Sequence, residues 1–203
     1  IPGAVEIMKR AKDEHPGNAT VMGYLGGYTG MLAGKAFQDG DMNEAGVLSG
    51  EAFTLLDSAL KLDGNNIMAL FFRGTMGVNV PEFMGRLDQS VSDLEQVLDL
   101  IKKTPDALPE DMTVGTLAML ALGYEKQGET EKAQAVREML PAGMGEAPAA
   151  GQKDSSLKKS MTSEALQKKS VAILVKSAPV VGEARKKMEA DPNNAALVFA
   201  YAM

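Results

Sequence analysis

The feature that most limits the folds open to this chain is a junction spelled three times. His15-Pro16-Gly17-Asn18 follows a helix-forming stretch that ends near Glu14. Asp63-Gly64-Asn65-Asn66 follows Leu55–Leu62, and Asp191-Pro192-Asn193-Asn194 follows Ala184–Ala190. Each time a helix meets Pro or Gly, then Asn, then an apolar helical run. Pro and Gly cannot continue the first helix, and an Asn side chain satisfies the free amides that open the next one. The first two junctions, at Pro16 and Gly64, are 48 residues apart. Gly26 and Gly74 then hold the same place in their helices, as do Tyr24 and Phe72. A small residue recurring there predicts close approach by a neighbouring helix.

The rest of the chain punctuates in the same way. Expected helices run over about 2–14, 18–38 (closed at Gly40), 42–62, 66–79 (closed before Pro81), 82–103 (closed before Pro105), 110–127 and 130–140. Asp41 is read as the N-cap of the third. Residues 141–156, rich in Gly, Ala and Pro, read as a linker or long loop. Helices near 157–176, 179–190 and 195–203 complete the chain. No run alternates as a strand does, so the expected class is all-α.

Composition narrows the chemistry. There is no Cys and one His, His15, which excludes disulfides, thiolate metal sites and a multi-histidine site. The net charge of -6 argues against nucleic-acid binding, which needs a basic face. The charge is uneven. Residues 1–150 hold 12 basic and 22 acidic groups, and residues 151–203 hold 9 and 5. The plain reading is solvated helix faces; the sharper one is a basic docking surface for an acidic partner or for the chain's own acidic part. The longest uncharged run, Pro16 to Gly34, carries six glycines and reads as a buried helix, not a membrane span. A start at Ile1 fits a processed or trimmed chain. The compartment stays open, with a processed periplasmic or secreted chain favoured over a cytoplasmic one.

The pattern resembles the tetratricopeptide repeat (TPR) family. The stretch LAMLALGYEKQGETEKAQAV carries its signature at Leu117, Leu120, Ala121, Tyr124, Gly128 and Ala133. A second match is Ala52, Leu56, Ala59 and Gly64, and a third places Leu70 and Gly74 in a first helix. The repeats are degenerate, and a 48-residue spacing implies helices longer than the family's. The resemblance implies antiparallel helical pairs stacked as a right-handed superhelix over 1–140. The 157–203 helices would pack back on the repeats.

The resemblance also implies a concave groove lined by first helices. Carried over by register, its residues are Met68, Phe71, Thr75, Val78 and Asn79, then Gly115, Ala118, Leu122, Glu125 and Lys126. In the first repeat they are Thr20, Gly23, Gly27, Gly30 and Met31. The family's carboxylate-clamping subclass is not expected, since Phe71 and Ala118 stand where a clamp lysine would sit. An apolar groove suits an apolar peptide or a partner helix. The plainer reading of Met68 and Phe71 is core.

Two local features stand apart. Gly26, Gly30 and Gly34, four apart, predict a smooth face for a close helix crossing. Arg73 occupies a position that is usually apolar, so it needs a partner such as Asp88 or Glu82. That makes a structural ion pair the first reading; an anion site built from Arg73 and Arg86 is the sharper one. Catalytic and metal spellings are weak. Ser155-Ser156-Leu157-Lys158 has the spacing of a serine acylase without its companion motifs. Asp39–Asn43 mimics a calcium loop but has Glu44 where Gly is needed. Asn18-Ala19-Thr20 is a glycosylation sequon at a helix start. No cofactor or metal is expected.

The leading functional expectation is therefore a non-catalytic scaffold that binds a protein or peptide. The alternative is a small-molecule pocket between helices near Tyr24, Tyr28, Phe71 and Arg73. The apolar end, Ala195–Met203, would fold back or pair with a second copy.

Overall fold

The computed structural model describes residues 2–141. The expected linker at 141–156 and the helices expected at 157–203, with their dimer option, lie outside the described residues, apart from Pro141. The described chain is all-α: α1 Pro2–Glu14, α2 Ala19–Asp39, α3 Met42–Leu62, α4 Ile67–Asn79, α5 Leu87–Lys103, α6 Glu110–Lys126 and α7 Thr130–Arg137. Short 3-10 turns at Glu82–Met84 and Pro105–Ala107 flank α5. Among the described residues there is no strand.

The caps explain the boundaries. Asn18 Oδ1 accepts from the Val21 amide at 3.1 Å, and Asn66 Oδ1 accepts from the Ala69 amide at 3.1 Å. Asp41 opens α3 by accepting from the Glu44 amide at 2.9 Å. Gly40 ends α2 with φ 86°, a left-handed conformation costly for any residue with a Cβ. One expected helix is corrected. The 82–103 helix begins only at Leu87, because Gly85 takes φ 62° and breaks the run after one 3-10 turn.

The chain forms two compact units, divided inside α4 between Phe72 and Arg73. In the first, α2 and α3 pack along most of their lengths as an antiparallel hairpin about Gly40. Gly26 faces Leu56 across it, each about equally far from the turn. A Cβ added at Gly26 would stand 2.7 Å from Leu56 Cγ and 3.2 Å from the Ala52 carbonyl oxygen. On another side of α2, Gly23 abuts Asn66 and Ala69, and Gly27 abuts the Phe72 ring. The order of those contacts makes α2 and the first turns of α4 parallel. Leu25, Phe53, Leu56 and Leu70 are fully buried here.

In the second unit α4 and α5 repeat the arrangement. A Cβ added at Gly74 would stand 2.7 Å from Leu94 Cγ and 3.1 Å from the Ser90 carbonyl oxygen. This is the Gly26 environment again, with Leu94 for Leu56 and Ser90 for Ala52. The sequence equivalence of Gly26 and Gly74 is thus an equivalence of packing. Leu94, Leu117, Leu120, Ala121, Tyr124 and Ala133 belong to one core cluster drawn from α4, through Val78, and from α5, α6 and α7. Gly128 turns α6 into α7 with φ 80°.

The expected glycine stripe is corrected. Gly23, Gly26 and Gly27 admit close approach, while Gly34 is exposed with nothing within 4 Å of an added Cβ. Spacing by four drifts about 40° around a helix at each step, so eight residues carry Gly34 off the face that Gly26 presents to α3.

Candidate functional site

The residues expected to line a groove fall on α2, α4 and α6, and those of α2 are corrected in part: Gly23 and Gly27 are buried against Asn66, Ala69 and Phe72 and line no open face. In the first unit Met68 is buried among core residues, and Phe71 is half-buried with its ring 5.4 Å from that of Phe72. Tyr24 stacks at 6.2 Å from Tyr28 and meets Phe72 edge-on at 6.4 Å. Burial pushes the Tyr28 phenol up to about 12 and the Tyr24 phenol higher still, with Tyr28 adding to the Tyr24 shift. These hydroxyls stay protonated at neutral pH. Thr20 accepts a long hydrogen bond from Asn66 Nδ2 at 3.4 Å, which ties the start of α2 to the cap of α4.

In the second unit the C-terminal end of α4, at Val78 and Asn79, meets α6. Thr75, Ala118 and Leu122 are half-buried, and Asn79 is exposed. Asn79 Nδ2 donates to the Thr75 carbonyl at 2.8 Å and reaches Met119 Sδ at 3.3 Å. Lys126 Nζ donates to the Val78 carbonyl at 2.6 Å, a cation placed at the negative C-terminal end of α4. Glu125 is taken from the other side, by Arg137 of α7. One residue apart on a helix means about 100° of rotation, so Glu125 and Lys126 diverge instead of sharing a surface.

Arg73 has a partner on α5, and it is Asp93, not Asp88 or Glu82. Arg73 Nε and Nη2 meet Asp93 Oδ2 and Oδ1 at 2.7 and 2.8 Å, a two-point pairing of planar groups. The side chains are 12% and 6% exposed, so the pair is nearly dry. Arg86 lies at the N-terminal end of α5, where its carbonyl accepts from Ser90 Oγ at 2.8 Å. Of the two arginines read as an anion site, Arg73 is thus occupied by a carboxylate of the chain itself.

Sequence reasoning missed a cleft on α5, α6 and α7, about 490 Å³ in volume. Tyr124 and Val91 form its buried floor. Tyr124 hydroxyl donates to Glu95 Oε1 at 2.5 Å, and Gln127 Nε2 donates to Asp88 Oδ1 at 2.7 Å. Lys132 Nζ sits 5.4 Å over the Tyr124 ring and 3.6 Å from Glu129 Oε2. Burial, then the bond to Glu95 and the charges of Glu95, Glu129 and Asp99, hold the Tyr124 phenol far above its usual range. It acts as a neutral donor. The sequence signal was present: Asp88, Val91, Ser92 and Glu95 share one face of a helix at the 3, 4 and 7 spacing.

Buried hydroxyls are saturated. Thr29, Ser90 and Thr116 each donate to the carbonyl four residues earlier, at 2.8 Å. Among the described residues no buried side-chain polar atom lacks a partner, no group of three or more His, Asp or Glu could hold a metal ion, and no helix is long and apolar enough to cross a membrane. Comparison with protein-family models, with curated proteins and with solved structures found no match.

Proposed function

We propose that the chain is a non-catalytic scaffold of TPR-like helical hairpins, stacked as a right-handed superhelix. It binds a protein or peptide segment through the face of its first helices, α2, α4 and α6. One observation carries the reading: Gly26 and Gly74 meet the same pair of groups, a leucine branch carbon and the carbonyl four residues before it, on the helix that follows each. Equivalent contacts in successive hairpins are what a repeat fold requires, since each pair buries its apolar face on the next. The family-like positions Ala52, Leu56, Ala59, Leu70, Leu120, Ala121 and Ala133 are all 2% exposed or less.

The choice of a polypeptide over a small ligand rests on Tyr24, Tyr28 and Arg73. The two tyrosines are packed into aromatic contacts, and Arg73 is held by Asp93. A small polar ligand would have to displace those partners. Thr75, Ala118 and Leu122 keep part of their surface open, as a peptide-lining face needs. The test compares the wild-type chain with Ala118→Glu in affinity capture from the native source, read by mass spectrometry. A polypeptide captured by the first and lost by the second, at an unchanged unfolding midpoint, supports the reading. Capture of a small molecule without any polypeptide, or of the same polypeptide by both, overturns it.

A further inference from the structure

The cleft of the second unit shares no residue with the proposed groove, and its charge is unbalanced. Asp88 and Glu95 lie two turns apart on one face of α5, about 10 Å along its axis. Each is held by a neutral donor, the Gln127 amide and the Tyr124 hydroxyl respectively. Among the described residues neither carboxylate pairs with a cation. A carboxylate accepts at about four sites, so both keep fixed, charged acceptors facing solvent. The cleft also holds an ammonium already: Lys132 Nζ rests over the Tyr124 ring. The ring face is thus taken by the chain's own cation, and the two carboxylates are the groups left open. Val91, between the two carboxylates, and Leu87, beside Asp88, add apolar surface.

We propose that this cleft binds a basic peptide segment of a partner protein, in extended polyproline-II-like form, with Lys or Arg at positions i and i+3. That conformation repeats every three residues and rises about 3.1 Å per residue. Its i and i+3 side chains therefore share a face about 9 Å apart, which matches the Asp88–Glu95 spacing. The methylene stems lie along Leu87 and Val91 while the charged heads reach Asp88 and Glu95. Gln127 and Tyr124 hold the carboxylates in place beforehand, which reduces the ordering cost of binding.

The experiment titrates the whole chain into fluorescein-labelled acetyl-Lys-Ala-Pro-Lys-amide and follows anisotropy. The same peptide with Glu at both ends is the control. The proposal expects saturable binding of the lysine peptide alone, weakening as salt rises. The double substitution Asp88→Asn with Glu95→Gln keeps both acceptor oxygens and removes both charges. It should weaken binding by about tenfold or more, since charge-assisted hydrogen bonds are roughly twice as strong as neutral ones, with the unfolding midpoint unchanged. Equal binding of the two peptides, or of wild type and the double variant, overturns the proposal. So does competition by 1,8-diaminooctane at concentrations below those of the peptide, which would assign the cleft to a small diamine. Ala118→Glu leaves this binding intact, so the two surfaces can fail separately.

Discussion

Replacing Gly74 by Ala would normally stabilise a helix, because Ala is better than Gly by about 0.8–1.0 kcal/mol in a helix interior. Here the added methyl group would stand 2.7 Å from Leu94 Cγ, 2.9 Å from its Cδ2 and 3.1 Å from the Ser90 carbonyl oxygen. The first of these is a branch carbon of a fully buried side chain, and the last is backbone. Neither can swing away as a flexible chain end could. Overpacking of this kind costs about 1–3 kcal/mol, so after the propensity gain the expected net loss is about 0–2 kcal/mol. Gly26→Ala meets the same two groups and should lose a similar amount. Gly34→Ala is the control: nothing lies within 4 Å of its Cβ, so it should gain about 0.5–1 kcal/mol. Urea denaturation followed by circular dichroism at 222 nm measures all three. Gly74→Ala as stable as Gly34→Ala would refute the close-approach argument, and unequal losses at Gly26 and Gly74 would refute the equivalence of the two hairpins.

Three further outcomes follow from named contacts. Asp93→Ala removes the carboxylate that meets the nearly buried Arg73 guanidinium at two points, so it should cost about 3–5 kcal/mol; Arg73→Met with Asp93→Leu together should cost far less, and equal costs would contradict a pair that is expensive only when broken. Gly40→Ala puts a Cβ at φ 86° and should cost about 1 kcal/mol in the same denaturation assay, whereas a gain would contradict the left-handed cap. The phenols of Tyr24, Tyr28 and Tyr124 are raised on folding, so the unfolded state releases their protons first as pH rises. Their stability contribution is then full below about pH 10 and declines as pH climbs toward the folded values. Absorbance at 295 nm should show these three ionising together with loss of helix; ionisation near pH 10 with the helix signal intact would contradict their burial.

Most of the helical skeleton was legible because its boundaries are set by local chemistry. Asn18, Asp41 and Asn66 cap helices by bonds to amides three residues on, and Gly40 stops one by a left-handed turn. Gly85 was overlooked because a lone Gly inside a helical pattern does not announce its φ, and it delays α5 to Leu87. Arg73 is legible as a charge that needs a partner, but closeness in sequence, which points to Glu82 and Asp88, does not decide which acid packs against it. Asp93 is marked by its register: with Ser90, Leu94, Val97 and Ile101 it falls on the buried stripe of α5. The cleft depends on Tyr124, Glu95 and Lys132 meeting across three helices. Such a meeting depends on tertiary packing, to which helical periodicity is blind. The groove residues separated because the family register put Glu125 and Lys126 together, whereas neighbours on a helix point about 100° apart, one to α7 and the other to α4.

The central claim, that the first-helix face receives a polypeptide, is tested most directly by photo-crosslinking in the native source. A benzophenone side chain would be placed at Asn79 or Ala118 on first helices, and at exposed Thr54 or Lys103 on second helices. The account predicts a discrete polypeptide adduct from positions 79 and 118 and none from 54 and 103. Adducts of equal yield at all four positions, or at none, would contradict it.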